Sequence, residues 1–434
     1  MKPSFAPNVD DRGRAPRQTR TRMGAAVFSS LVSALGAGCV IDLKPGDANA
    51  EAGSDAEIET SAAGDAEIET SAAGDTTVSA TPLPGTWSNV TGELAGMPSV
   101  CGTVQTVFTN LSENLVTAGV ADNGLWASSS PGGDPDGGGW SELDMGNAAV
   151  CSSAMPPASQ CITNRPTALV YDPANPGQYW ESGIYAQGYA VYITTDNGNT
   201  FTGLGTNNAN TPLALGSDLV SIDFSGSDRN TLLAGGHETT GMQALYLSTD
   251  GGMTWNNVGA NLPPISCTYP LVISPMEYFV GCEMGGGVYR TMDGGKTWGI
   301  VTANGGASAP LWASDGSIYW ASPTGSGMAK GLSDGATWVD NVASDPNAIT
   351  GSHPVEIPGG LIATLGPQYV VVSPDKGATW NPASAVYPAG SVPYGLVYSG
   401  GFFYIWYQDC ATFSGNDPVQ SDAIFSFPWS GADD

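Results

Sequence analysis

The chain has 434 residues, with 59 Gly, 31 Pro and only 12% charged residues, a balance that disfavours long charged helices and favours many short strands and turns. Its formal charge is −28, and from Leu83 onward 29 acidic residues stand against 6 basic ones, a net −23. Such a surface repels nucleic acid and anionic lipid headgroups, and it suits neutral or cationic partners or simply solubility.

The first element is a targeting segment. Arg12, Arg14, Arg17, Arg20 and Arg22 form a basic region ahead of MGAAVFSSLVSALGAG, which is too short and too rich in Gly and Ser for a good membrane span. Residues 1–38 read as a signal peptide. LGAGC resembles a bacterial lipoprotein signal, which implies lipidation of Cys39 as the new N-terminus, although Gly36 stands where that signal usually has leucine. Plain secretion and an ordinary transmembrane anchor are the alternatives. Residues 40–82 form an acidic linker in which DAEIETSAAG occurs at 55–64 and again, unchanged, at 65–74. With 10 acidic residues, one Lys and few large apolar ones, it cannot bury enough surface to offset chain entropy and is expected to be a disordered spacer.

Residues 83–434 read as strands and turns, with no sustained helical period. STDGGMTW at Ser248–Trp255 returns 43 residues later as TMDGGKTW at Thr291–Trp298. TTDNGNTF lies at Thr194–Phe201 and SPDKGATW at Ser373–Trp380, and SDGATW at Ser333–Trp338 is the same turn with one residue lost. In each, the Asp carboxylate can accept backbone N–H bonds across a tight turn, Gly permits a positive φ, and the aromatic ring packs between sheets. Asp196, Asp250, Asp293, Asp334 and Asp375 are therefore structural turn residues. PTALVYDPANPGQYWESGIYAQGYAVYI, before the turn at Asp196, reads as three strands, and the turn joins the third to a fourth that begins at the aromatic. Trp87, Trp140, Phe201, Trp255, Trp298, Trp338 and Trp380 then mark seven units, with the opening GTWSNV supplying the fourth strand that the last unit lacks. The prediction is all-β: a single seven-bladed β-propeller of four-stranded antiparallel blades after a disordered N-terminal tether, with six or eight blades as the alternative counts.

This topology assigns faces. The first-to-second and third-to-fourth turns share one rim; the second-to-third loops and the crossovers between blades share the other. On that other rim fall Asp122 (VADNG), His237 and Glu238 (GHETTG), Glu283 (CEMGGG), and Trp406, Tyr407 and Asp409 (WYQDC), with Arg165 and His353 on crossovers. Glu238, Glu283 and Asp409 are the candidate catalytic carboxylates if the protein is an enzyme, since two carboxylates can divide acid and base roles on a glycosidic bond. Asp122, Arg165, His237, Trp406 and Tyr407 are candidate ligand-binding groups; the competing reading is that all are ordinary loop residues. Export makes the cysteines candidates for disulfides, and strand counting pairs Cys101–Cys410, Cys151–Cys161 and Cys267–Cys282 among 15 connectivities. No CxxC occurs and only two histidines, so neither a metal nor a cofactor is expected, and DPDGG at 134–138 lacks the rest of a calcium loop.

The turn motifs S/T-x-D-x-G-x-T-W/F resemble the Asp-box (BNR-repeat) β-propeller superfamily over residues 83–434. That superfamily includes sialidases, xyloglucanases, sortilin-like receptors and non-enzymatic assembly factors, so the resemblance implies a fold more than an activity. A sialidase would imply three arginines on the substrate carboxylate; after Leu83 only Arg165, Arg229 and Arg290 exist, with Arg229 on the rim of the acidic turns and Arg290 on a third strand. Xyloglucanases resemble the blade phrasing YLSTDGGMTW better, but imply two tandem propellers and a catalytic Asp pair, where this chain has room for one propeller. The expectation is a glycan- or protein-recognition module, exported and held at a bacterial surface or outer membrane by its lipid, or secreted. It is expected to be a monomer that contacts membrane only through that anchor and does not bind nucleic acid. The alternative is an extracellular glycoside hydrolase or a polysaccharide lyase.

Overall fold

The computed structural model describes residues 81–97, 104–110, 115–129, 139–143, 165–184, 191–205, 219–236, 244–282, 286–322, 327–339, 352–408, 423–429 and 431. The signal segment, Cys39 and the linker up to residue 80 lie outside them.

The described strands form seven four-stranded antiparallel sheets in a ring, a seven-bladed β-propeller. Blade 1 comprises Val104–Asn110, Leu115–Val120, Gly124–Ser128 and Ser141–Glu142; blade 2 comprises Arg165–Asp172, Asn175–Ile184, Val191–Thr194 and Thr202–Gly203. Blade 3 runs through Leu219–Ile222, Leu232–Gly235, Leu245–Ser248 and Asn256–Asn257, and blade 4 through Cys267–Ser274, Glu277–Cys282, Gly287–Thr291 and Gly299–Thr302. Blade 5 holds Leu311–Trp312, Ile318–Ala321, Met328–Gly331 and Trp338–Val339; blade 6 holds Val355–Ile357, Leu361–Leu365, Val370–Ser373 and Asn381–Pro382. Blade 7 takes Gly395–Ser399, Phe402–Trp406 and Ile424–Pro428 from the chain's end and Ser88–Asn89 from its start.

That last pairing closes the ring. Ser88 lies opposite Ser426 and Asn89 opposite Phe425. Val90 N–H donates to Ile424 O at 2.9 Å, and Ile424 N–H donates to Thr91 Oγ1 at 2.9 Å. The same segment grips its neighbours on both sides: Trp87 Nε1 donates to Ala385 O of the blade 6 side (3.1 Å), and Trp140 Nε1 of blade 1 donates to Val90 O (2.8 Å).

The core lies between blades, in seven apolar layers, one at each blade boundary. Inner strands such as Leu245–Ser248 and Ile318–Ala321 are buried at every position, because each blade has a neighbour on both faces. Four second strands meet this demand with two consecutive aromatics: Tyr179–Trp180, Tyr278–Phe279, Tyr319–Trp320 and Phe403–Tyr404. Adjacent strand residues point to opposite faces. One ring of each pair therefore enters the layer before its blade and the other the layer after it, as with Tyr179 beside Leu125 of blade 1 and Trp180 beside Val220 of blade 3.

Candidate functional site

The turns after the third strands are built alike. At Asp250, Ser248 Oγ donates to Oδ1 (2.8 Å), Thr254 N–H donates to Oδ1 (2.8 Å) and Thr254 Oγ1 donates to Oδ2 (2.6 Å), while Gly252 N–H donates to Ser248 Oγ (2.8 Å). Asp196, Asp293 and Asp375 repeat the pattern with Thr194 and Thr200, Thr291 and Thr297, and Ser373 and Thr379. Asp334 keeps the bonds from Thr337 N–H and Oγ1 and gains Ala336 N–H, but Leu332 stands where the other turns have a hydroxyl. Hydrogen bonds from Thr297 hold the Asp293 carboxyl at about 2, below the usual carboxylate range. These carboxylates brace turns. They also share a rim with the first hairpins, since Gly251 N–H donates to Asn230 O and Gly294 N–H to Met276 O.

The same rim is stitched across blade boundaries. Arg229, in the first hairpin of blade 3, makes a bidentate pair with Asp172 of blade 2 (Nε–Oδ2 2.9 Å, Nη2–Oδ1 3.0 Å), and the Asp172 side chain has no exposed surface. Arg290 bonds Glu277 (Nε–Oε1 2.9 Å) within blade 4 and donates from Nη2 to Asp334 O of blade 5 at 3.0 Å. Lys376 of blade 6 pairs with Asp315 of blade 5. Arg229 and Arg290 are thus part of the frame on the rim of the acidic turns, not ligand-facing groups.

On the opposite rim the described candidates are few. Asp122 occupies the turn between Val120 and Gly124 with φ 59°, half-exposed. Arg165 opens the first strand of blade 2, half-buried. His353 Nδ1 donates to Ala309 O at 2.8 Å, joining the crossovers into blades 6 and 5, and burial lowers its pKa. Trp406 and Tyr407 correct the expectation of aromatic walls. They are only 6% and 7% exposed. Trp406 lies so close over Gly395 that a Cβ there would stand 2.1 Å from its ring, and Tyr407 is packed among Leu396, Phe403 and Phe425, with its hydroxyl bonded to Ser391 O and pushed up to about 12 by burial. Trp406 ends a second strand that is buried on two sides, and Tyr407 follows it directly. His237, Glu238, Glu283, Asp409 and the 134–138 segment lie outside the described residues, as do Cys101, Cys151, Cys161 and Cys410. Cys267 and Cys282 sit opposite each other in blade 4, Cα atoms 3.9 Å apart, joined by a disulfide.

Sequence reasoning missed an open groove of about 520 Å³ on the rim of the acidic turns. It runs across the first hairpins of blades 5, 6 and 7, and Ser314, Glu356, Ile357, Tyr398 and Ser399 line it together with four glycines. Its only sequence signal was the doubled glycine in IPGGL and SGGF. Among the described residues no cluster of His, Cys, Asp and Glu could hold a metal ion, and no helix is long and apolar enough to cross a membrane.

No family model matches the chain. It is similar to Xyloglucanase Xgh74A of Acetivibrio thermocellus, 28% identical over 190 residues that make up 41% of this chain and 21% of that protein. The chain therefore spans about a fifth of the length of the curated relative it matches. Among solved structures, the extracellular domain of a hybrid two component system from B. thetaiotaomicron aligns with a TM-score of 0.51 at 10% identity, covering 76% of this chain and 40% of that one. A GH74 enzyme of Niastella koreensis aligns with a TM-score of 0.46 at 18% identity, over 69% and 47% of the two chains. The likeness to the B. thetaiotaomicron domain is one of fold.

Proposed function

We propose that the chain is an exported glycan-recognition propeller, its acidic repeats being Asp-boxes, held at the cell surface by Cys39 and the linker that follows. The observation that carries this reading is the division of the two rims. The turn carboxylates of Asp196, Asp250, Asp293, Asp334 and Asp375, together with Arg229 and Arg290, are all engaged in bracing the ring. Recognition is then left to loops whose sequence differs from blade to blade, the usual place for binding on a rigid scaffold. The similarity to a xyloglucanase supports a polysaccharide as the ligand, and the strongly acidic surface supports a neutral one. That similarity also favours a second reading, hydrolysis by Glu238, Glu283 or Asp409.

A polysaccharide panel scored both for retention and for release of reducing ends separates the two. Retention without release is the expected result. Release that disappears in Glu238→Ala, Glu283→Ala or Asp409→Ala would replace the binding reading with the hydrolytic one.

A further inference from the structure

We propose that the groove on the rim of the acidic turns binds an uncharged pyranose, as a subsite separate from the crossover rim. Two neighbouring hairpins form its sides, Pro358-Gly359-Gly360 in blade 6 and Gly400-Gly401 in blade 7. All four glycines have positive φ, from 59° to 88°, which lets the chain reverse with no side chain at the tip. A Cβ on Gly400 or Gly401 would meet nothing within 4 Å, so the space between the hairpins is open where side chains ordinarily stand.

What lines this opening is matched to a sugar ring. Tyr398 is a half-buried aromatic plate, fixed edge-on by Phe403 (5.4 Å between centroids) and Trp429 (6.1 Å). Glu356 is held in place from one side: its Oε2 accepts Ser314 N–H (2.8 Å) and its Oε1 accepts Ser314 Oγ–H (2.6 Å). Each oxygen retains a second lone pair, so the carboxylate is a fixed two-pronged acceptor for adjacent hydroxyls. Ser399 follows Tyr398 in the strand and contributes to the groove wall. An apolar plate with a few fixed polar groups is the composition of a small-molecule site. A pyranose presents an apolar C–H face to such a plate and vicinal hydroxyls to such a carboxylate. No cation lines the groove, and the surrounding acidic field disfavours an anionic sugar. A cationic peptide could also meet Glu356, but the lining offers it a single carboxylate beside an aromatic ring and bare backbone.

The test is calorimetric titration of the full chain with neutral hexasaccharides of β-linked glucose, mannose and xylose, and with tetralysine for comparison. Glu356→Gln removes the charge. Gly400→Asn fills the opening with a residue that tolerates φ 59°, in a position where no atom obstructs it. At least one hexasaccharide should bind, and its affinity should fall about tenfold in each variant, while Glu142→Gln on an exposed outer strand of blade 1 leaves it unchanged and every variant melts cooperatively. The proposal is overturned if no hexasaccharide binds, if binding survives Gly400→Asn intact, or if tetralysine alone binds and is lost in Glu356→Gln. Hexasaccharide binding that Asp122→Asn abolishes and Gly400→Asn does not would support the crossover rim and sink the groove.

Discussion

Asp250 accepts three hydrogen bonds within a span of seven residues, and Ser248, one of the donors, itself accepts the N–H of Gly252. Asp334 does similar work without the hydroxyl that precedes the other turns, so its loop is braced from one side only. Asp250→Ala should therefore lower the urea midpoint more than Asp334→Ala, and equal shifts would show that the preceding hydroxyl contributes nothing. The turns were legible in the sequence because all their partners lie within four residues of the carboxylate. Trp406 was not. Its burial depends on Gly395 in the partner strand and on Tyr394 beside it, contacts that a strand-end aromatic does not announce.

Between blades, the frame consists of apolar layers crossed by a few charged links, of which Arg229–Asp172 is the most buried among the described residues. The Arg229 guanidinium holds the Asp172 carboxyl at about 2, against an ordinary 3.8. The folded state then binds fewer protons than the unfolded chain between these values. The pair's contribution is complete above about pH 4 and declines as the pH falls towards 2. Arg229→Ala should cost about 3 kcal/mol at neutral pH, because it strands a buried carboxylate, and it should flatten the decline of stability between pH 4 and 2. Urea unfolding at a series of pH values tests both; an acid limb unchanged in the variant would show that this pair does not shape it. Asp172 and Arg229 are 57 residues apart, and nothing in either hairpin's sequence signals the other. The groove was illegible for the same reason: three hairpins from three blades meet there, while each doubled glycine reads locally as a plain turn.

At the scale of the ring, the count of blades was legible because the aromatic at each fourth strand recurs at a blade's length. The closure was legible because the last unit lacked a strand that the first residues could supply. That strand is short, with two paired residues, yet it touches blades 6, 7 and 1. A chain starting after residue 92 would leave Ile424–Pro428 as an open sheet edge and uncover the layers on either side of blade 7. It should associate through that edge and unfold at lower temperature, as size-exclusion chromatography and melting curves would show. A monomeric truncated chain with an unchanged melting curve would mean that the seam contributes little.

The seam also sets an order of events during synthesis. Thr91 leaves the ribosome 333 residues before its partner Ile424. At ordinary translation rates that wait is on the order of 20 to 70 s. Through that interval Trp87 lacks Ala385 and Phe427, and Val90 can rest on blade 1 but lacks Ile424, so blades can stack only as an open arc. The circle can therefore close only after the last strand is available to lie between Ser88–Asn89 and Phe402–Trp406.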